Sequence, residues 1–453
     1  MGLSAAAAGT IAAGRMARQA AGSLLLAASL AGCSQTHYFV NKPLAAEPGA
    51  FAYTASRLAA EDNSDSLLLI TTVSGGGYRA AALGLGVLDA LRRTSVRWDG
   101  RDTTMLAELD VLSGVSGGGL LAAYYGLNRE ATFERFETEV LGHDLQSAFV
   151  GRALTPRGIW RQSSSHFGRG DILAEVLDEG IFHGRTFADL TRRRPLVTLH
   201  ATDMQLGGRF EFTQDQFDQI CSDLNAFPIS RAVAATMAAP LVFSPVTLWN
   251  HQAHCPVAIA EDESWPAHGR YLHLLDGGLA DNTGVQTTLE AVSARGSIVE
   301  TVRQAGLRGV RKAVFIIVNA QVQQRFQEDA LSNTPGLIRQ FRSLIDIPID
   351  RYSAGSINTL KSEVLRWRAQ LYFAADAQLA GTFERDADFY VIEISLVAPP
   401  EGVRRPPLNE ATTSLRIDPE DARALQRYAR EALAASPEWR RLIQDLRGES
   451  VGR

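Results

Sequence analysis

VLSGVSGGGLLAAYYG, residues 111–126, sets Ser116 among Gly114, Gly117, Gly118 and Gly119. The run before it, 109–112, is short and apolar enough for a buried strand, and the run after it, 117–127, is apolar at helical length. A serine at a glycine-rich strand-to-helix junction fits the G-x-S-x-G nucleophile elbow, here Gly114-Val115-Ser116-Gly117-Gly118. The glycines have a physical reason. The elbow forces the serine backbone into a sparsely populated conformation, and neighbours without Cβ let helix and strand approach closely.

Outward from that turn the chain reads as α/β. Strands are expected at 67–73, 109–112, 195–201, 209–213, 271–275, 313–318 and 388–397, and helices at 80–93, 117–127, 172–177, 229–239 and 285–292. This alternation implies a mostly parallel sheet covered on both faces. Residues 321–373 are rich in Arg and Gln with apolar residues at helical spacing; a covering layer is expected there rather than a lid. Polar helices at 419–433 and 437–446 close the chain. A catalytic body at 67–320, with an extension at 321–453 that completes or covers it, follows from this pass.

Composition sets bounds. The 453 residues carry a formal charge of −5, 45% hydrophobic and 21% charged residues, which describes a globular chain rather than a disordered or polytopic one. Only Lys42, Lys312 and Lys361 are lysines, and no long basic block occurs, so nucleic acid is not an expected partner. At the N-terminus, Arg15 and Arg18 precede an apolar stretch at 20–30, followed by Leu30-Ala31-Gly32-Cys33. That order resembles a bacterial lipoprotein signal ending in a lipobox. It implies a signal peptide at 1–32 (with Met16 an alternative start), lipid on Cys33, and a tether at 33–66 that holds the body at a membrane, at the outer membrane or periplasmic face. Cys221 and Cys255 then remain as an even pair, either a disulfide or two buried thiols.

A nucleophilic serine needs an acceptor for its proton and donors for the oxyanion. Ser74-Gly75-Gly76-Gly77-Tyr78-Arg79 follows the first strand and opens the first helix, where backbone N–H groups converge on an anion. A nucleotide-phosphate loop would need a following Lys-Ser/Thr or a G-x-G-x-x-G in register, and neither is present. The base is the discriminating residue. All nine histidines lie at or before His273, so none can follow a late acid in the order Ser, Asp, His. The late acid is Asp276, which ends an apolar strand and opens Gly277-Gly278, the place where α/β sheets present catalytic groups. A Ser116–Asp276 dyad fits, with an N-cap or Asx-turn role as the plainer alternative for Asp276.

Four motifs in order, SGGGYR at 74–79, GVSGG at 114–118, AATMAAPLVFSPV at 234–246 and DGGLADN at 276–282, resemble the patatin-like phospholipase family. The resemblance spans about 67–318. It implies a three-layer patatin-like fold, Ser116 as nucleophile, Asp276 as base, and Gly75, Gly76 and Gly77 with Arg79 as the oxyanion loop. It further implies a lipid acyl hydrolase acting on membrane phospholipid or another acyl ester, with no cofactor and no metal. An acyltransferase or lysophospholipase on the same dyad, or a non-enzymatic scaffold lipoprotein, are the alternatives. The family often has Asp and Gly where this chain has Ser74 and Ala80. His251, His254 and Cys255 lack a second Cys/His pair at ligand spacing, so HQAHCP is expected to be a surface loop. Asp203 is expected to begin a turn and carries no assigned chemistry.

Overall fold

The computed structural model describes residues 39–45, 53–256, 269–322, 332, 334, 336–379, 381–407 and 414–449. Cys33 and the expected signal peptide lie outside the described residues. Ten strands are labelled: β1 Leu67–Val73, β2 Ser95–Trp98, β3 Arg101–Thr104, β4 Leu109–Val115, β5 Leu196–Asp203, β6 Arg209–Glu211, β7 Val246–Trp249, β8 Tyr271–Asp276, β9 Val310–Asn319 and β10 Phe383–Ser395. The principal helices are α1 Gly77–Arg93, α2 Gly117–Asn128, α3 Leu145–Ala153, α4 Pro156–Gln162, α5 Arg169–Leu177, α6 Ile229–Thr236, α7 Gln286–Arg295, α8 Ile298–Gln304, α9 Leu337–Phe373, α10 Pro419–Ala435 and α11 Pro437–Glu449.

Eight strands form one sheet in the order β10-β9-β1-β4-β5-β8-β7, with β6 paired to β5. Strands β10, β9, β1, β4 and β5 are parallel. β8 runs antiparallel to β5, β7 antiparallel to β8, and β6 antiparallel to β5. The central strands are buried along almost their whole length, β1 with only Ile70 intermediate and β9 with only Arg311. That is why they read as continuous apolar runs rather than as alternation. One core joins the sheet to α1, α2, α6, α10 and α11 and includes Leu83, Leu121, Val233, Leu425 and Leu442. A second, on the opposite face, joins it to α7, α8 and α9 through Val292, Val302, Ile357, Trp367 and Phe389. The result is the expected three-layer α/β fold. β10 places part of the C-terminal extension inside the sheet, beside β9. At Gly86 a Cβ would come within 2.6 Å of the Gln426 backbone, so glycine lets α1 and α10 pack backbone to backbone.

Three details refine the sequence reading. Two stretches of the expected tether are packed into the body. The Asn41 amide donates to Ser222 Oγ (2.9 Å) and Trp249 O (2.9 Å) and accepts from Trp249 N (2.6 Å), while Tyr53, 1% exposed, has its hydroxyl as acceptor for Val197 N (2.9 Å). Cys221 and Cys255 form a disulfide, with a Cα–Cα distance of 5.7 Å. The expected covering layer is one 37-residue helix, α9. Its second half packs on β9 and β10, while Leu344, Ile347 and Tyr352 in its first half are exposed.

Candidate active site

Ser116 follows the last residue of β4 and caps α2 with φ 51° and ψ −118°, a conformation that a side chain adopts only when its surroundings impose it. What imposes it is glycine packing. A Cβ on Gly118 would lie 2.2 Å from Val73 O, one on Gly114 2.4 Å from Gly118 O, and one on Gly117 1.9 Å from Gly77 O. The elbow is thereby wedged against the end of β1 and the glycine loop that follows it. The Ser116 N–H donates to Thr236 Oγ1 (2.8 Å), the last residue of α6, which pins the turn from a third side.

Asp276 arrives from the neighbouring chain direction, at the end of β8 opposite Ala201. Its own backbone is held by Ala238 O, which accepts from Asp276 N (3.0 Å), and by Thr202 Oγ1, which donates to Asp276 O (2.8 Å). The carboxylate accepts from Gly278 N (2.8 Å) and has the Ser116 hydroxyl beside it. Burial disfavours the charged form and raises its pKa from 3.8 to about 6, with these two donors offsetting part of the effect. Gly277 is required because a Cβ there would lie 2.2 Å from His200 O. Serine and aspartate, 160 positions apart in sequence, thus stand side by side at this end of the sheet.

The glycine loop lies over the elbow. Gly76 (φ 140°) and Gly77 (φ 59°) occupy conformations open to glycine, and Gly77 begins α1, whose first N–H groups lack intrahelical acceptors. A Cβ on Gly75 would sit 3.5 Å from Ser116 Cβ. One expectation is corrected: the Gly75 N–H donates to Asn282 O (3.0 Å), so this amide fastens the loop to the DGGLADN segment and is not free for an oxyanion. Gly76 and Gly77 remain. Ser74 ties the loop to β9, its N–H donating to Val318 O (3.0 Å) and its Oγ accepting from Ala320 N (2.9 Å). Arg79, 9% exposed, donates from Nε to Ala320 O (2.9 Å), and burial lowers its pKa to about 10. It braces the loop from behind.

Sequence reasoning did not single out Thr236 and Asn282, although both stand inside the quoted motifs. Asn282 also donates from Nδ2 to Ser353 Oγ (3.4 Å), linking the loop to α9. No histidine is bonded to the dyad among the described residues. The nearest on an adjoining strand, His200, is buried with Nε2 2.6 Å from Ser113 Oγ, and burial and Arg209 hold its pKa well below the usual imidazole range. His273 Nδ1 pairs with Thr247 Oγ1 (2.9 Å), and His254 is exposed on the loop closed by the disulfide. Asp203 ends β5 and accepts from Gln205 N and Leu206 N, the expected turn. Among the described residues no group of three His, Cys, Asp or Glu side chains could hold a metal ion. An apolar cavity of about 150 Å³ lies between the sheet and α7–α8, lined by Leu68, Ile70, Val302 and Phe315 among others; Ser116 and Asp276 are not in its wall.

Residues 71–289 match the family model described as patatin-like phospholipase. No curated protein sequence matches the chain. Among solved structures, the chain is similar to human GIVD cytosolic phospholipase A2, with 12% identity over 84% of this chain and 60% of that one and a TM-score of 0.46. It is also similar to that protein in complex with methyl gamma-linolenyl fluorophosphonate, with 14% identity over 86% and 59% and a TM-score of 0.41. The chain spans about 60% of the length of the structures it matches.

Proposed function

We propose, for a chain that carries a patatin-like phospholipase domain over residues 71–289, that it hydrolyses acyl esters of membrane lipids with Ser116 as nucleophile and Asp276 as base. One observation carries this reading: a serine held at φ 51° stands beside a buried carboxylate and against a loop of glycines. Ser116 Oγ attacks the ester carbonyl as Asp276 takes its proton, and the Gly76 and Gly77 N–H groups receive the oxyanion. Collapse expels the alcohol, protonated by Asp276. Water then attacks the acyl-enzyme, giving its proton to Asp276, and Ser116 leaves with a proton returned from the carboxyl. A carboxylate is a weak base in water; a pKa raised to about 6 moves it toward the working range while keeping it ionised at neutral pH.

The chain is further read as a bacterial lipoprotein whose Cys33 carries the lipid, which holds the enzyme at an outer-membrane or periplasmic surface. Support comes from the charged, apolar and small residues that precede Cys33 in that order. Activity on dispersed short-chain esters and on phospholipid, read by lipid mass spectrometry for wild type and Ser116→Ala, tests the hydrolase reading. Turnover retained in a folded Ser116→Ala protein overturns it.

A further inference from the structure

The two ends of the sheet differ in polarity. The end where β1, β4 and β9 begin carries exposed Glu61, Asp62, Asp99, Arg101, Asp102 and Arg308, with Tyr372 and Phe373 exposed at its outer edge beside the start of β10. The end where they finish carries Ser116 and Asp276 and is rimmed by exposed apolar groups. Leu241 (61% exposed) and Val242 (51%) follow the Ala238 whose carbonyl holds Asp276. Leu241 has φ 70°, a conformation that costs a leucine and is kept where the surroundings hold an exposed side chain in place. Beside them stand Leu154 (68%), which follows α3, and Trp160 (47%) in α4. α3 is fixed to the same loop through the Phe149–Phe243 ring contact (4.9 Å). Met204 (59%) stands on the turn that ends β5. Scattered exposed leucines are ordinary, but a rim gathered around a catalytic mouth marks an interaction surface.

The occupant of that surface is indicated by where the chain enters the body. Phe39 packs edge-on against Phe227 (5.5 Å) under Arg231 (4.1 Å), and Asn41 is bonded to Trp249. Trp249 pairs with Tyr271, at the far end of β8 from Asp276, so it lies beyond the catalytic level on the same end of the sheet. Cys33 precedes Phe39 by six residues, which fully extended reach at most ~20 Å. Packing of Phe39 and Asn41 thus shortens the expected 34-residue tether to a strap.

We propose that the catalytic end of the sheet is a membrane-docking face: a lipid on Cys33 holds it against the bilayer, and Leu154, Trp160, Leu241 and Val242 enter the headgroup–acyl boundary, with Ser116 opening toward the lipid. This rests on the lipoprotein and hydrolase reading above. Among the described residues no helix is long and apolar enough to cross a membrane.

The test uses the full-length protein on vesicles of phosphatidylethanolamine and phosphatidylglycerol with brominated acyl chains. Bromine is expected to quench tryptophan emission in wild type, and Trp160→Phe is expected to remove most of that quenching. A Leu154→Asp/Trp160→Asp double variant is expected to lose about tenfold or more of its turnover of vesicle lipid. The same protein should keep turnover of a dispersed short-chain ester within about twofold, because both side chains are exposed and outside the dyad. Quenching equal in wild type and Trp160→Phe, or parallel loss on both substrates, overturns the docking face. If wild type turns over neither substrate, the hydrolase reading fails while the quenching still decides the face. If Cys33→Ser incorporates labelled palmitate as wild type does, the anchor reading fails and the quenching again decides.

Discussion

Asp276→Asn is expected to stabilise the protein while silencing it. Asparagine keeps the acceptor for Gly278 N–H but cannot take a proton. The carboxyl pKa stands at 3.8 in the free side chain and at about 6 in the fold, because burial disfavours its charge. At about 1.4 kcal/mol per tenfold in proton affinity, that difference corresponds to up to ~3 kcal/mol of stability withheld when the carboxylate is ionised. The sign follows from proton counting. Between about pH 4 and pH 6 the folded state holds a proton that the unfolded chain has released, so this group's contribution falls as pH rises and levels off above pH 6. The variant has no such term. Urea midpoints for both proteins across about pH 4 to pH 8 should therefore diverge, the variant gaining up to ~3 kcal/mol relative to wild type toward pH 8. A stability difference that does not change with pH, or a variant less stable than wild type at pH 8, refutes the reasoning.

Gly76→Ala is expected to lower kcat on the order of 10²-fold with little unfolding, since the new Cβ meets only contacts at 3.3 Å or more but φ 140° cannot be kept; wild-type kcat would place the oxyanion elsewhere. Removing the Cys221–Cys255 disulfide by Ser substitution, which opens a loop of 34 residues, is expected to cost roughly 3–4 kcal/mol in urea unfolding; an unchanged midpoint contradicts this. The pH–rate profile of kcat/KM is expected to rise through about pH 6 as Asp276 ionises and to flatten above it; a midpoint unchanged in Asp276→Asn would assign the rise to another group.

Legibility in the sequence follows the range of the contacts. The elbow, the glycine loop and Asp276-Gly277-Gly278 were readable because each is a local strand end whose backbone demands glycine or whose side chain has few other uses. The buried parallel strands were readable from apolar runs, though β4 extends to Val115, past the expected 112, since glycine and serine hide the strand signal. The hairpin of β2 and β3 escaped because Ser95–Trp98 and Arg101–Thr104 are short and largely polar. The contacts that decide the site's geometry are long-range: Thr236 to Ser116 spans 120 positions and Asn41 to Trp249 spans 208. No period or spacing reports them. For the same reason Gly75 looked like an oxyanion donor, since its partner, Asn282 O, comes from a distant loop, and the tether looked loose, since Asn41 carries no local sign of burial.

Covalent labelling with a fluorophosphonate, followed by intact mass and peptide mapping, tests the central claim most directly. The dyad predicts one adduct per chain on Ser116 in wild type, none in Ser116→Ala, and labelling slowed by orders of magnitude in Asp276→Asn. An adduct on another serine, or Asp276→Asn labelled at the wild-type rate, would contradict it.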